Sequence, residues 1–267
     1  MNDGVRNGEP ASFLFKRSGS TGCICAQPPV MTRIMQLPSD ERSQWMVLVV
    51  LFLGTAVLTG LLSVSQVRYF QPYFGRVPPL LVVSLVSLVG VVSLRFLRSR
   101  GFAIYARQEN GRGLIVAVTA ATLFAVEAII ADFRIVFPHA LNVPPPQSLL
   151  FYPAIASVVE ITFHALPLSL FLVALDPLFK ERNPNRLVWV CIVITSLLEP
   201  VFQVVAGSAE KPFSWADAYV GVHVFAINLV QLYVFRRYDF VSMYSLRMAY
   251  YLSWHIVWGY VRLQVLF

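Results

Sequence analysis

Residues 149–175, LLFYPAIASVVEITFHALPLSLFLVAL, constrain the fold of this chain more than any other stretch. The run is long enough to cross a bilayer, which takes about 20 helical residues. It nevertheless carries a carboxylate and an imidazole near its middle, Glu160 and His164. On a helix that spacing puts both side chains on one face, one turn apart. An ionisable group at such depth is costly, so it faces the interior of a bundle and has a partner there. A single span cannot supply that interior, and the rest of the chain has to.

Composition agrees. Hydrophobic residues make up 57% of the chain and charged residues 13%, where a soluble domain has about 25% charged. The apolar runs predict seven spans, at 46–65, 79–97, 114–131, 149–175, 187–206, 218–235 and 243–264. Their lengths are helical and not those of barrel strands. The expected fold is all-α, a polytopic membrane helix bundle of about seven transmembrane helices over residues 46–267, with no internal repeat. Residues 1–45 are polar and read as a disordered cytoplasmic tail without a signal-peptide layout. Cys23, Cys25 and Cys191 make no disulfide framework, and Cys191 reads as a small core residue.

The net charge of +7 does not point to nucleic acid, because the cations sit in loops between apolar runs. Arg95, Arg98, Arg100, Arg107 and Arg112 share one loop region. Lys180, Arg182 and Arg186 share another, and Arg236 and Arg237 mark a third. The loops between are poorer, with Arg68 and Arg76, then Arg134, then Lys211. Alternation of this kind predicts a cytoplasmic N-terminus and a multi-pass integral membrane protein. No Gly-rich phosphate loop or dinucleotide fingerprint is present.

At about 1.5 Å of rise per residue, Glu160, His164 and His255 fall near mid-membrane. Glu127, Glu199, Gln203 and His223 fall in the outer half, with Asn228 near the centre of its span. Imidazole and carboxylate at a common depth suit a transition metal such as Zn2+. A zinc-bound water has a pKa near 7, and a neighbouring Glu serves as its base. The same groups also suit a proton relay or an ion path. Each has a structural reading as well. Glu160 with His164 reads as an interhelical pair worth about 1 kcal/mol. Glu199 precedes Pro200, which frees a backbone carbonyl and kinks the helix. His223 with Asn228 reads as a polar seam, His255 between Trp254 and Trp258 as a belt histidine, and Glu127 as a partner of Arg134.

Three stretches resemble the motifs of the CPBP family of intramembrane metalloproteases, named for CAAX-prenyl proteases and bacteriocin-processing enzymes. Val159-Glu160-Ile161-Thr162-Phe163-His164 is similar to the family's Glu-Glu-x-x-x-Arg. Glu199-Pro200-Val201-Phe202-Gln203 is similar to Phe-x-x-x-His, and His255-Ile256-Val257-Trp258-Gly259 to His-x-x-x-Asn. The stretches come in family order within 149–264. Glu160 and His255 match the family type. Val159, His164, Glu199, Gln203 and Gly259 depart from it.

The resemblance implies a CPBP-like core over about 149–264 and an intramembrane metal-dependent endopeptidase acting on membrane-associated substrates. In that reading His164, His255, Glu160 and His223 are the candidate zinc ligands. Glu160 and Glu199 are the candidate bases, and Gln203 is the oxyanion or substrate contact. Expected partners are membrane lipid and a membrane-protein or lipidated-peptide substrate. The departures imply the alternative, an inactive CPBP-like protein that binds or scaffolds. A small transporter is the third reading.

Overall fold

The computed structural model describes Met1 and residues 41–179, 184–207 and 212–267. Nearly all of the expected tail, with Cys23 and Cys25, and the loop cations Lys180, Arg182 and Lys211 lie outside the described residues.

Among the described residues there are helices and no strand. The architecture is an all-α polytopic bundle. Helix α1 is Glu41–Gln66, α2 Gln71–Phe74, α3 Pro79–Ser99 and α4 Asn110–Ile135. Helix α5, Ser148–Val159, runs through a π-helical turn, Glu160–Ala165, into α6, Leu166–Phe179. Next come α7, Pro184–Ser196, α8, Leu198–Gly207, and α9, Trp215–Arg237. Helix α10, Phe240–Tyr250, passes through a second π-helical stretch, Tyr251–Trp258, into α11, Gly259–Val265.

Among the described residues, six stretches are long and apolar enough to cross a membrane. They are Glu41–Val64, Pro79–Ser99, Asn110–Ile135, Ser148–Phe179, Asn185–Val205 and Trp215–Arg237. The expected seventh span, 243–264, is helical but is not one of them; its Tyr, Trp, His and Arg side chains dilute its apolarity. Val50, Leu53, Val57 and Leu61 on α1, and Leu81, Leu85 and Leu88 on α3, form exposed apolar stripes. Stripes of that size are covered by lipid in an integral membrane protein. Residues 41–45, ahead of the expected span, are helical too, and they are anchored. Gln44 is buried and accepts the Ile104 N–H at 3.1 Å, and Glu41 pairs with Arg98 at 2.7 Å.

Local sequence explains the packing around the centre. Gly113, Ala117, Ala121, Ala125 and Ala128 are buried along α4, which lies against α10. Small residues at this spacing let two helix backbones approach closely. A side chain at Gly113 would run into Ser242. Pro167 has no N–H for the Phe163 carbonyl, and just before it Leu166 N–H bonds five residues back to the Ile161 carbonyl. Pro200 likewise leaves the Ser196 carbonyl free, and the expected kink appears as the break between α7 and α8. The Asn228 amide donates to that carbonyl at 3.5 Å. Cys191 is buried and free, as its apolar surroundings predict.

A buried latch holds the connection that follows α4. Asp132 accepts from Arg262 Nε at 2.7 Å and Nη2 at 2.9 Å, and from Trp258 Nε1 at 2.8 Å. The same guanidinium donates to the carbonyls of Phe137 at 2.6 Å and Pro138 at 3.0 Å. This fixes Val136 in the left-handed region, φ 51°, where a β-branched residue is strained. At the other end, Asp239 caps α10, accepting the N–H of Ser242 at 2.7 Å and of Ala106 at 2.9 Å. Burial pushes its carboxyl pKa up, and these donors hold it back.

Candidate functional site

Arg247, on α10, is the centre of the buried polar network. Its Nε donates to Glu160 Oε1 at 2.5 Å. Its Nη1 donates to Glu199 Oε1 at 3.1 Å and its Nη2 to Glu199 Oε2 at 2.9 Å. The second Nη1 proton goes to Tyr251 OH at 3.3 Å, and Gln231 Oε1 at 3.1 Å and Asn228 Oδ1 at 3.4 Å share the second Nη2 proton. An arginine fork matches a carboxylate edge in a way no other side chain does. Three helices thereby converge: α8 brings Glu199, α9 brings Gln231 and Asn228, and the π-turn after α5 brings Glu160.

Glu160 and His164 do meet one turn apart, as their spacing predicts. His164 Nδ1 donates to Glu160 Oε2 at 2.8 Å, and both side chains are fully buried. A carboxylate only accepts, so the His164 proton sits on Nδ1. Its Nε2 has no hydrogen-bond partner among the described residues. Gln203 donates to Glu199 Oε1 at 3.1 Å.

A cavity of about 360 Å³ opens beside this network. Glu199, Gln203, Arg247, His223, Tyr250 and His255 supply its polar wall. Phe163, Phe202, Val220, Val224, Ile227 and Trp254 supply its apolar wall. Glu160 and His164 are not on that wall; they stand behind Arg247. His255 is held at the far end. Its Nδ1 meets Asn142 Oδ1 at 2.7 Å, and its ring stacks on Tyr152 with centroids 4.8 Å apart. Gly259 makes room for this, since a Cβ there would lie 2.8 Å from Asn142 Nδ2.

The expected site residues are thus split. Glu199, Gln203, His223 and His255 share the cavity, while Glu160 and His164 form a separate buried pair. Among the described residues no three His, Cys, Asp or Glu side chains gather as a metal-binding group. The donor arrangement does not fit a zinc held by Glu160, His164 and His255, because Arg247 already occupies the space between the carboxylates. Glu127 bonds His223 and Tyr219 and not Arg134 as its position suggested. His223 and Asn228 do not form one seam, because His223 turns to the cavity and Asn228 to Ser196 and Arg247.

Sequence reasoning missed Arg247, Gln231, Asn142 and the Asp132–Arg262 latch. The signal for Arg247 was present. Two buried carboxylates need a cation, and Arg247 lies inside the last apolar stretch, eight residues before His255. The fold and cavity define a class, a polytopic helical membrane protein with an arginine-clamped polar cavity inside the bundle. No protein-family model, no curated protein and no solved structure matches the chain.

Proposed function

We propose that this chain is an intramembrane binding module, a CPBP-like scaffold that takes an amphiphilic ligand into its cavity. The ligand class is an alkyl or prenyl chain with a polar head, from a lipid or a lipidated peptide. The observation that carries this reading is the Arg247 clamp. It consumes Glu160 and Glu199, the two carboxylates a metal hydrolase would need for ligation and for activating water. What is left facing the cavity is one polar wall and one apolar wall, the arrangement common in small-molecule sites. The Lys and Arg pattern of the loops supports a cytoplasmic N-terminus for this module.

The endopeptidase reading keeps one observation in its favour: Glu199, His223 and His255 line the same cavity. Metal content separates the two. The binding-module reading predicts no stoichiometric zinc in detergent-purified protein supplied with zinc. About one zinc per chain, lost in both His255→Ala and His223→Ala, would restore the hydrolase reading.

A further inference from the structure

Glu127, His223 and Tyr250 form a hydrogen-bonded chain that reaches the cavity wall through His223 and Tyr250. Glu127 Oε2 lies 2.5 Å from His223 Nδ1, and His223 Nε2 lies 3.0 Å from the Tyr250 hydroxyl. Tyr219 donates to the same Glu127 oxygen at 2.9 Å. Tyr219 and His223 are one turn apart on α9, and their rings stack with centroids 5.5 Å apart. Phe124, on α4, meets the His223 ring edge-on at 5.6 Å. These contacts lock the imidazole plane.

The proton positions follow from the partners. A carboxylate accepts, so Nδ1 carries the hydrogen and Nε2 keeps its lone pair. Tyr250 therefore donates its O–H to Nε2. A buried imidazole satisfies its donor and its acceptor nitrogen in any role, so what sets His223 apart is what its two partners are. One is a carboxylate, and the other is a phenol on the cavity wall. None of the three residues is used by the Arg247 clamp.

We infer that Glu127–His223–Tyr250 is an acid–base relay that makes the Tyr250 oxygen the reactive group of the cavity, for an ester or thioester on an apolar chain. This rests on the binding-module reading in one respect, that the cavity admits such a chain. In the step, the Tyr250 oxygen bonds to the acyl carbon and the Tyr250 O–H proton passes to His223 Nε2. Glu127, a positioning residue, stabilises the imidazolium through Nδ1–H. The bond to the leaving oxygen or sulfur breaks, and that atom takes the proton from Nε2. Tyr250 is left acylated, and the alcohol or thiol departs. Water then hydrolyses the aryl ester and regenerates the phenol.

The test uses an alkyl-tailed aryl sulfonyl fluoride on the full-length protein in detergent, with modified peptides mapped by mass spectrometry. The tyrosine oxygen bonds to sulfur, fluoride leaves, and His223 takes the proton. The expected result is labelling of Tyr250 well ahead of Tyr152 and Tyr251, which line the same cavity and bond neither Glu127 nor His223. Glu127→Gln and His223→Gln should slow Tyr250 labelling by roughly 10²-fold, the ordinary scale of general-base assistance. Glu127 is half exposed, so Glu127→Gln leaves the fold intact. Equal labelling of the three tyrosines in the wild type would overturn the relay whatever the variants do. An unchanged rate in Glu127→Gln would overturn it as well. Photo-crosslinking of an alkyl chain in Tyr250→Phe keeps the two readings apart. Retained crosslinking with no relay leaves the binding module standing, and lost crosslinking in the wild type removes both.

Discussion

Arg247 grips Glu199 through two parallel hydrogen bonds, 3.1 and 2.9 Å long, with both side chains almost closed to solvent. The same guanidinium holds Glu160. One cation therefore anchors two carboxylates that arrive on different helices, and its removal leaves both buried without a counter-ion.

Arg247→Met should accordingly cost about 3–5 kcal/mol, the scale for breaking a buried ion pair from one side. Thermal unfolding in detergent reads this as a large fall in Tm. Arg247→Lys should recover only part, since an ammonium cannot reproduce the fork. Arg247→Met combined with Glu160→Gln and Glu199→Gln should recover more than Lys does, because no charge is then stranded. A wild-type melting curve for Arg247→Met would show that the clamp carries no stability.

Arg262→Gln should release the connection after α4. Asp132 loses its ion pair, and the Phe137 and Pro138 carbonyls lose their donor. With Asp132 buried and unpaired, about 3 kcal/mol or more is at stake. Limited proteolysis should show new cleavage within 136–147, absent from the wild type. Cleavage elsewhere with that segment still protected would contradict the latch.

Gly259→Ala places a methyl carbon 2.8 Å from Asn142 Nδ2, closer than the two atoms can pack. Overpacking of this kind costs about 1–3 kcal/mol. Asn142→Ala in the same chain should relieve the collision, so the double variant melts above Gly259→Ala alone. Additive losses from the two changes would mean that the side chains do not compete for this space.

Much of the fold was legible because its cause is local. Apolar runs of spanning length must be helices in lipid, and Pro200 marks its own break. The cost of polar groups at depth also pointed to Glu160, Glu199, His223 and His255. What could not be read was direction. Glu160 and His164 share a helix face, yet that face turns behind Arg247 and away from the cavity. A π-helical turn changes the angle at which each side chain leaves the helix, and hydropathy does not reveal it. Partner choice was equally hidden. Glu127 has Arg134 seven residues away in sequence, but α9 packs against α4 and offers His223 and Tyr219 instead. Arg247 escaped notice because the last stretch is rich in Tyr and Trp, which read as a membrane anchor.

The central claim is that the cavity holds the chain of an amphiphile. The direct measurement is photo-crosslinking of a diazirine-bearing long-chain fatty acid to the detergent-purified protein, with adducts mapped by mass spectrometry. Adducts should fall on Val220, Val224 and Ile227, and Val224→Trp, which fills the cavity, should abolish them while the protein melts as the wild type does. Adducts confined to lipid-facing positions such as Val57 and Leu88, unchanged in Val224→Trp, would contradict the account.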